Sequence, residues 1–232
     1  MSRKVLIILA VLAFATLPLI SSASDRDDDI SRMHKATQVF KEIMDAPDSG
    51  IPLGLLDRAK CIAIIPGDVK FAFIFGGNYG RGVATCRTEH GWSAPMFIAV
   101  DGGSVGYQIG GSSTDLVMLF MNDHALKHLL SDKFKLGGEA SVAAGPVGRH
   151  AAANTDVTLR AEILSYSRTH GVFAGVSLDG AVVQADKSGD RAMYGDNVDR
   201  HEILRGRVNV PESARPLLRE IAGYVAPSQS NS

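Results

Sequence analysis

The chain has 232 residues, 45% of them hydrophobic and 21% charged, with a formal net charge of −1. That composition fits one globular domain with short appendages and excludes a collagen, a disulfide-dense miniprotein and a wholly disordered chain. A body of about 200 residues buries roughly 70% of its unfolded surface, so it folds without help from a metal or a disulfide. The near-neutral balance provides no basic footprint to displace counterions, which excludes nucleic acid as a partner.

The N-terminus is a different polymer from the rest. Arg3 and Lys4 precede an apolar run over 5–20, and Ser21, Ser22 and Ala23 then offer small residues for cleavage. This pattern predicts a Sec-type signal peptide over 1–23, cut after Ala23, and therefore an exported protein of the periplasm or cell envelope. The run is shorter than the ~20 residues a membrane span prefers. No cysteine precedes Cys61, so lipid attachment at the mature N-terminus is not expected. Without Arg3 and Lys4, 22 basic residues face 25 acidic ones. Asp25, Asp27, Asp28 and Asp29 lie in an acidic leader over 24–33, and from Ile30 onward the balance is 21 to 21. Any charged site must therefore be assembled by folding.

Residues Ile30, Met33, Thr37 or Ala36, Phe40, Ile43 and Met44 recur at helical spacing and predict a helix over 30–46, stopped by Pro47. Lys35 and Lys41 fall on its polar side. Such a stripe usually packs on a core, although one of Met, Phe and Ile below a basic face also suits a membrane surface. Strand patterns follow at 61–65, 71–75, 82–87, 92–100, 105–109 and 116–121, separated by glycine-rich turns. A helix capped by Asn122 or Asp123 is expected to run to about Phe134, and strands resume at 140–144, 157–167, 172–177 and 181–185. Ala214, Leu217, Leu218, Ile221 and Val225 predict a closing helix within a C-terminal extension over 201–226, before a disordered tail at 227–232. The expected fold is α+β: a glycine-rich, mainly antiparallel β core with an N-terminal amphipathic helix, one mid-chain helix and a C-terminal helix.

No catalytic constellation emerges. His124 and His128 have the spacing of two metal ligands on one helix, but the sequence offers no adjacent Glu and no evident third ligand, so no metal is assigned. Residues 175–180 come close to a serine nucleophile elbow, yet Asp179 stands where the elbow requires glycine. The glycine-rich stretches match no phosphate-binding loop, and no cofactor is expected. Asp115 and Asp156, each beside a threonine, read as turn residues. Cys61 and Cys86 lie in strand-like runs, and two outcomes stand open: a disulfide between adjacent strands, or two buried thiols.

Several longer motifs have a familiar order. They include Ala59-Lys60-Cys61-Ile62-Ala63-Ile64, Val69-Lys70, Arg87, Trp92-Ser93-Ala94-Pro95 and residues 136–149, which end Gly145-Pro146-Val147-Gly148-Arg149. Ser165-Tyr166-Ser167, residues 171–180 and Tyr194-Gly195 complete the set. Together they resemble the SYLF lipid-binding domain family, which is related to fungal actin-organising endocytic proteins, over a domain at 34–200. The resemblance implies non-catalytic binding of anionic phospholipid, with phosphoinositides as the headgroups in eukaryotic members, and peripheral association with a membrane. Its actin role does not suit an exported member, which would meet no actin, and a protein partner is not identified. Headgroup capture needs surface cations. Lys60, Lys70, Arg87 and Arg149 are the basic residues within matching motifs, with Lys35 and Lys41 on the first helix as second-rank candidates. Cys61 occupies a position where the family usually has glycine. The alternative is an envelope protein that binds a protein partner through its amphipathic helix without recognising lipid.

Overall fold

The computed structural model describes residues 21–46, 50–67, 78–102, 114–148, 160–169 and 172–225. Most of the expected signal peptide, the strands expected at 71–75 and 105–109, Lys70, Arg149 and the C-terminal tail lie outside the described residues. Those residues form ten strands: β1 (Cys61–Ile65), β2 (Asn78–Thr88), β3 (Gly91–Trp92), β4 (Met96–Gly102), β5 (Thr114–Phe120), β6 (Lys133–Lys135), β7 (Val142–Ala144), β8 (Ile163–Thr169), β9 (Val172–Gly175) and β10 (Val182–Ala185). One sheet contains them in the order β6-β10-β4-β2-β1-β5-β8-β7, with β3 added to β2 and β9 to β8. Every named strand pair is antiparallel except β7 with β8.

β1 explains why the sheet has two cores. All five of its residues are buried, Ile62 and Ile64 on one face and Cys61, Ala63 and Ile65 on the other. A central strand covered on both faces needs a continuous apolar run rather than alternation. On the first face lie helices α1 (Ser21–Asp45), α2 (Leu53–Arg58) and α6 (Arg215–Gly223), which bring Met33, Phe40, Leu56, Leu217 and Ile221 onto Val117, Leu119 and Tyr166. On the second lie α3 (Asp123–Leu130) and α5 (Arg200–Leu204), with Ala125, Leu129, Ile203 and Leu204 against Met96, Ile98 and Phe120. The remaining helix, α4 (Lys187–Tyr194), follows β10 and contacts α1 and β4. The α+β class and the mainly antiparallel core are as expected.

Four departures have local causes. α1 begins at Ser21 rather than near Ile30, because Asp29 and Arg32 in the charged stretch are buried against partners from elsewhere in the fold. α3 ends at Leu130 rather than near Phe134. Ser131 is extended there, and β6 then pairs with β10 and places the Phe134 ring edge-on to Phe120 at 6.4 Å. The strand expected at 92–100 is interrupted at residues 93–95, where Ser93 Oγ donates to the Ala94 carbonyl and accepts from the Cys86 N–H. α2, α4 and α5 were not expected, being too short to display a full apolar stripe.

The glycines of the resemblance motifs have a packing reason. A Cβ on Gly145 would lie 2.0 Å from the Tyr166 ring, and one on Gly175 would lie 2.1 Å from the Gly145 carbonyl oxygen. Tyr166 is fully buried and stacks on Phe173 with ring centroids 5.3 Å apart. Ser165 Oγ beside it is within hydrogen-bonding distance of the Val176 carbonyl at 2.6 Å. Gly145, Tyr166 and Gly175 thus interlock where β7, β8 and β9 meet, and only glycine allows so close an approach.

Candidate functional site

Lys60 and Arg87 meet at one end of β1 and β2. The Arg87 N–H donates to the Lys60 carbonyl at 2.7 Å, next to the paired Cys61 and Cys86. Those cysteines are bonded, resolving the alternatives in favour of the disulfide. They face each other on adjacent antiparallel strands with Cα atoms 3.9 Å apart, and both are buried.

The two cations have different surroundings. The Lys60 side chain is half exposed, with its ammonium 3.5 Å from the Asp123 carboxylate at the start of α3. Arg87 is turned inward. Its Nε donates to the Ala59 carbonyl at 3.2 Å, one terminal nitrogen donates to the carbonyls of Leu56 and Asp57 at 3.2 and 2.8 Å, and the guanidinium lies 4.9 Å from the centre of the Trp92 ring. It closes the C-terminal end of α2, where helical carbonyls lack intrahelical partners. Arg87→Ala is expected to lower unfolding stability by about 2 kcal/mol, through lost charge-assisted hydrogen bonds and the ring contact. Arg87→Lys should recover only part of this because an ammonium cannot form the fork. Urea denaturation of both variants checks the ranking.

Lys35 and Lys41 lie on the exposed side of α1, and Lys41 bonds Asp45 at 2.5 Å. The apolar side of that helix is used internally: Met33 and Phe40 are 0% exposed and Met44 is 5% exposed. This corrects the reading in which Met33, Phe40 and Met44 enter a membrane or a partner's groove. The stripe packs against the sheet and α6 instead.

Apolar surface is exposed elsewhere. Leu53 on α2 is 50% exposed and Val147 in the turn after β7 is 37% exposed. The two segments are joined by a 3.0 Å hydrogen bond from the Gly148 N–H to the Gly50 carbonyl. The outer side of α2 consists of Leu53, Gly54, Asp57 and Arg58, and exposed Lys60 follows two residues later. This assembles exposed apolar side chains and cations on neighbouring segments, with Arg149 next in sequence after Gly148.

Three other clusters define what the fold can do chemically. Asp186 is buried between Arg81 and Arg32, with its Oδ2 2.5 Å from an Arg81 terminal nitrogen and 3.1 Å from an Arg32 nitrogen. Arg32 also pairs with buried Asp29 at 2.9 Å and lies over the Phe97 ring, so this network fastens α1 to β2 and α4. A cleft of about 390 Å³ between α3, α4 and α5 has mixed charge, and its Lys187–Asp132 and Arg200–Asp190 pairs are 2.8 and 3.2 Å apart. The third cluster is unexpected. Glu162, just before β8, meets His124 and His128 of α3 and supplies the third metal-ligating group that sequence spacing did not reveal. Ser177 does not head a nucleophile elbow. Its hydroxyl donates to the Asp179 carboxylate at 2.5 Å, within the turn before β10.

Among the described residues no helix is long and apolar enough to cross a membrane. Residues 101–224, a little more than half of the chain, match the family model described as Ysc84: Las17-binding protein actin regulator. The chain is 40% identical over 189 residues to Protein YSC84 of Saccharomyces cerevisiae, covering 80% of this chain and 39% of that one. LAS seventeen-binding protein 3 of the same yeast is 39% identical over 189 residues, again with 80% of this chain and 40% of its own length covered. SH3 domain-containing YSC84-like protein 1 of Bos taurus is 30% identical over 201 residues, 84% of this chain and 59% of that protein. The chain therefore spans about two fifths of the yeast relatives and under two thirds of the bovine one.

Proposed function

The chain belongs to the Ysc84 (SYLF) family, and on that premise we propose that it is a non-catalytic domain that binds anionic phospholipid at a membrane surface. The supporting observation is that exposed Leu53 and Val147 lie on segments joined by the Gly148–Gly50 hydrogen bond, with exposed Arg58 and Lys60 following Leu53 along the chain. Apolar side chains that enter the interface, flanked by cations that meet headgroups, give a domain peripheral affinity without a membrane span. Lys60, Lys70 and Arg149 are the headgroup contacts in this reading. Arg87 supports the surface from beneath, by holding α2 in place.

With residues 1–23 read as an export signal, the ligand in this proposal is the anionic phospholipid of the cell envelope, and actin has no part in it. The family description, Las17-binding protein actin regulator, and the name LAS seventeen-binding protein 3 concern partners of those proteins, and this chain spans only part of the yeast relatives' length.

Vesicle flotation of folded variants tests the surface. Each of Lys60→Gln, Lys70→Gln and Arg149→Gln should weaken binding to phosphatidylglycerol vesicles about fivefold, from ~1 kcal/mol per basic residue near an anionic surface. Leu53→Asp should also weaken it, by opposing insertion and adding a repelled charge. If Lys60→Gln and Leu53→Asp both bind as the parent does, this surface is not the lipid site.

A further inference from the structure

We propose that His124, His128 and Glu162 form a binding site for a zinc-type divalent cation, joining α3 to the segment that enters β8. The ligating atoms of these three residues all lie within 4.8 Å of one another. Ligands around a tetrahedral zinc stand about 3.4 Å apart, so small side-chain rotations bring this set onto one ion. The histidines occupy successive turns of one helix face, with ring centroids 4.7 Å apart. His124 Nδ1 already forms a very short contact with Glu162 Oε1.

Two details distinguish the cluster from a chance surface pair. His128 Nε2 is buried and has no hydrogen-bond partner among the described residues, an arrangement that costs free energy unless something binds there. Its ring is also backed by Phe134, with centroids 5.5 Å apart. Glu162 is held from behind. Its Oε2 accepts from the Ser141 N–H at 2.9 Å, and its own N–H donates to Ser141 Oγ at 3.0 Å. An outer partner that fixes a ligating carboxylate is characteristic of built metal sites.

Two imidazoles and one carboxylate favour zinc and its late first-row neighbours over magnesium or calcium, which prefer all-oxygen sets. Three protein ligands leave a fourth position for water or another oxygen donor. The Met121 N–H donates to the Glu162 carbonyl at 2.8 Å, and Asp123, next to His124, faces Lys60. The ion would therefore lie near the proposed lipid-facing surface, although the site does not depend on that reading.

The test is equilibrium dialysis of the full chain, stripped with a chelator, against zinc chloride, with magnesium chloride as comparison. We expect one saturable zinc per chain, no displacement by millimolar magnesium, and affinity at least about tenfold weaker in His124→Ala, His128→Ala and Glu162→Gln. His90→Ala, a change at an exposed histidine outside the cluster, should leave binding unaltered. Circular dichroism establishes that each variant is folded, and the exposed His124→Ala keeps the test decisive if His128→Ala is not. Failure of zinc to saturate the parent chain, or zinc affinity unchanged in folded His124→Ala and Glu162→Gln, overturns the site.

Discussion

Asp186→Ala is expected to lower unfolding stability by about 3 kcal/mol, because it removes the acid shared by the partly exposed Arg81 and by buried Arg32, which then keeps only Asp29 as an acid partner among the described residues. Asp186 accepts from Arg81 through Nε and a terminal nitrogen at 2.9 and 2.5 Å, from Arg32 at 3.1 Å, and from the Ser188 hydroxyl and the Gly189 N–H that starts α4. Burial pushes its carboxyl pKa upward, but Ser188, Arg81 and Gly189 outweigh burial and hold it below the ordinary value. Ionised Asp186 therefore stabilises the fold fully above the unfolded carboxylate pKa of ~3.9, and that contribution disappears as pH falls through the lower folded value. Asp190 has the opposite sign. Burial pushes it up to about 6, against the Phe97 N–H and Arg200 that favour its ionised form. Its contribution is complete below ~3.9 and is lost as pH rises to about 6. Urea midpoints measured from pH 3 to 8 should accordingly show a shallower acid loss in Asp186→Ala than in the parent. An unchanged midpoint at pH 7 would mean that the network does not hold α1 in place.

Removing the Cys61–Cys86 bond is expected to cost about 3 kcal/mol, the chain-entropy value for a link between residues 25 apart. The pair joins β1 to β2 at the sheet centre, where both side chains contribute to the second core. A Cys61→Ala/Cys86→Ala double variant should unfold at lower urea than the oxidised parent and be indifferent to reductant. The parent should approach it only when reductant is present during unfolding, since the buried sulfurs are reached by opening. Equal midpoints for oxidised parent and double variant would contradict this role.

The sequence made some elements legible because their determinants are local. The apolar stripe of α1, the unbroken apolar run of β1 and the Asn122 cap of α3, whose side chain accepts from the Ala125 N–H at 2.8 Å, can all be read within a few residues. α4 was hidden because its Lys-Ser-Gly-Asp sequence has no apolar stripe. Its N-terminus is capped by the Asp186 side chain, and Gly189 sits where a Cβ would meet the Phe97 ring at 2.8 Å. Functional geometry was least legible where partners are distant in sequence. Arg87 bonds carbonyls 28 to 31 residues away, and Glu162 is 38 residues from His124. Residue type and spacing identify a cation or a histidine pair; only the strand order reveals whether the cation faces solvent or closes a helix.

The most direct test of the central claim is co-sedimentation of the chain from Ser24 onward with neutral and anionic vesicles at low and high salt. Binding to phosphatidylglycerol vesicles should weaken steeply with ionic strength, as salt screens Lys60, Lys70 and Arg149, with little binding to phosphatidylcholine. A folded chain that remains in the supernatant with both vesicle types at low salt would contradict lipid recognition and direct attention to a protein partner.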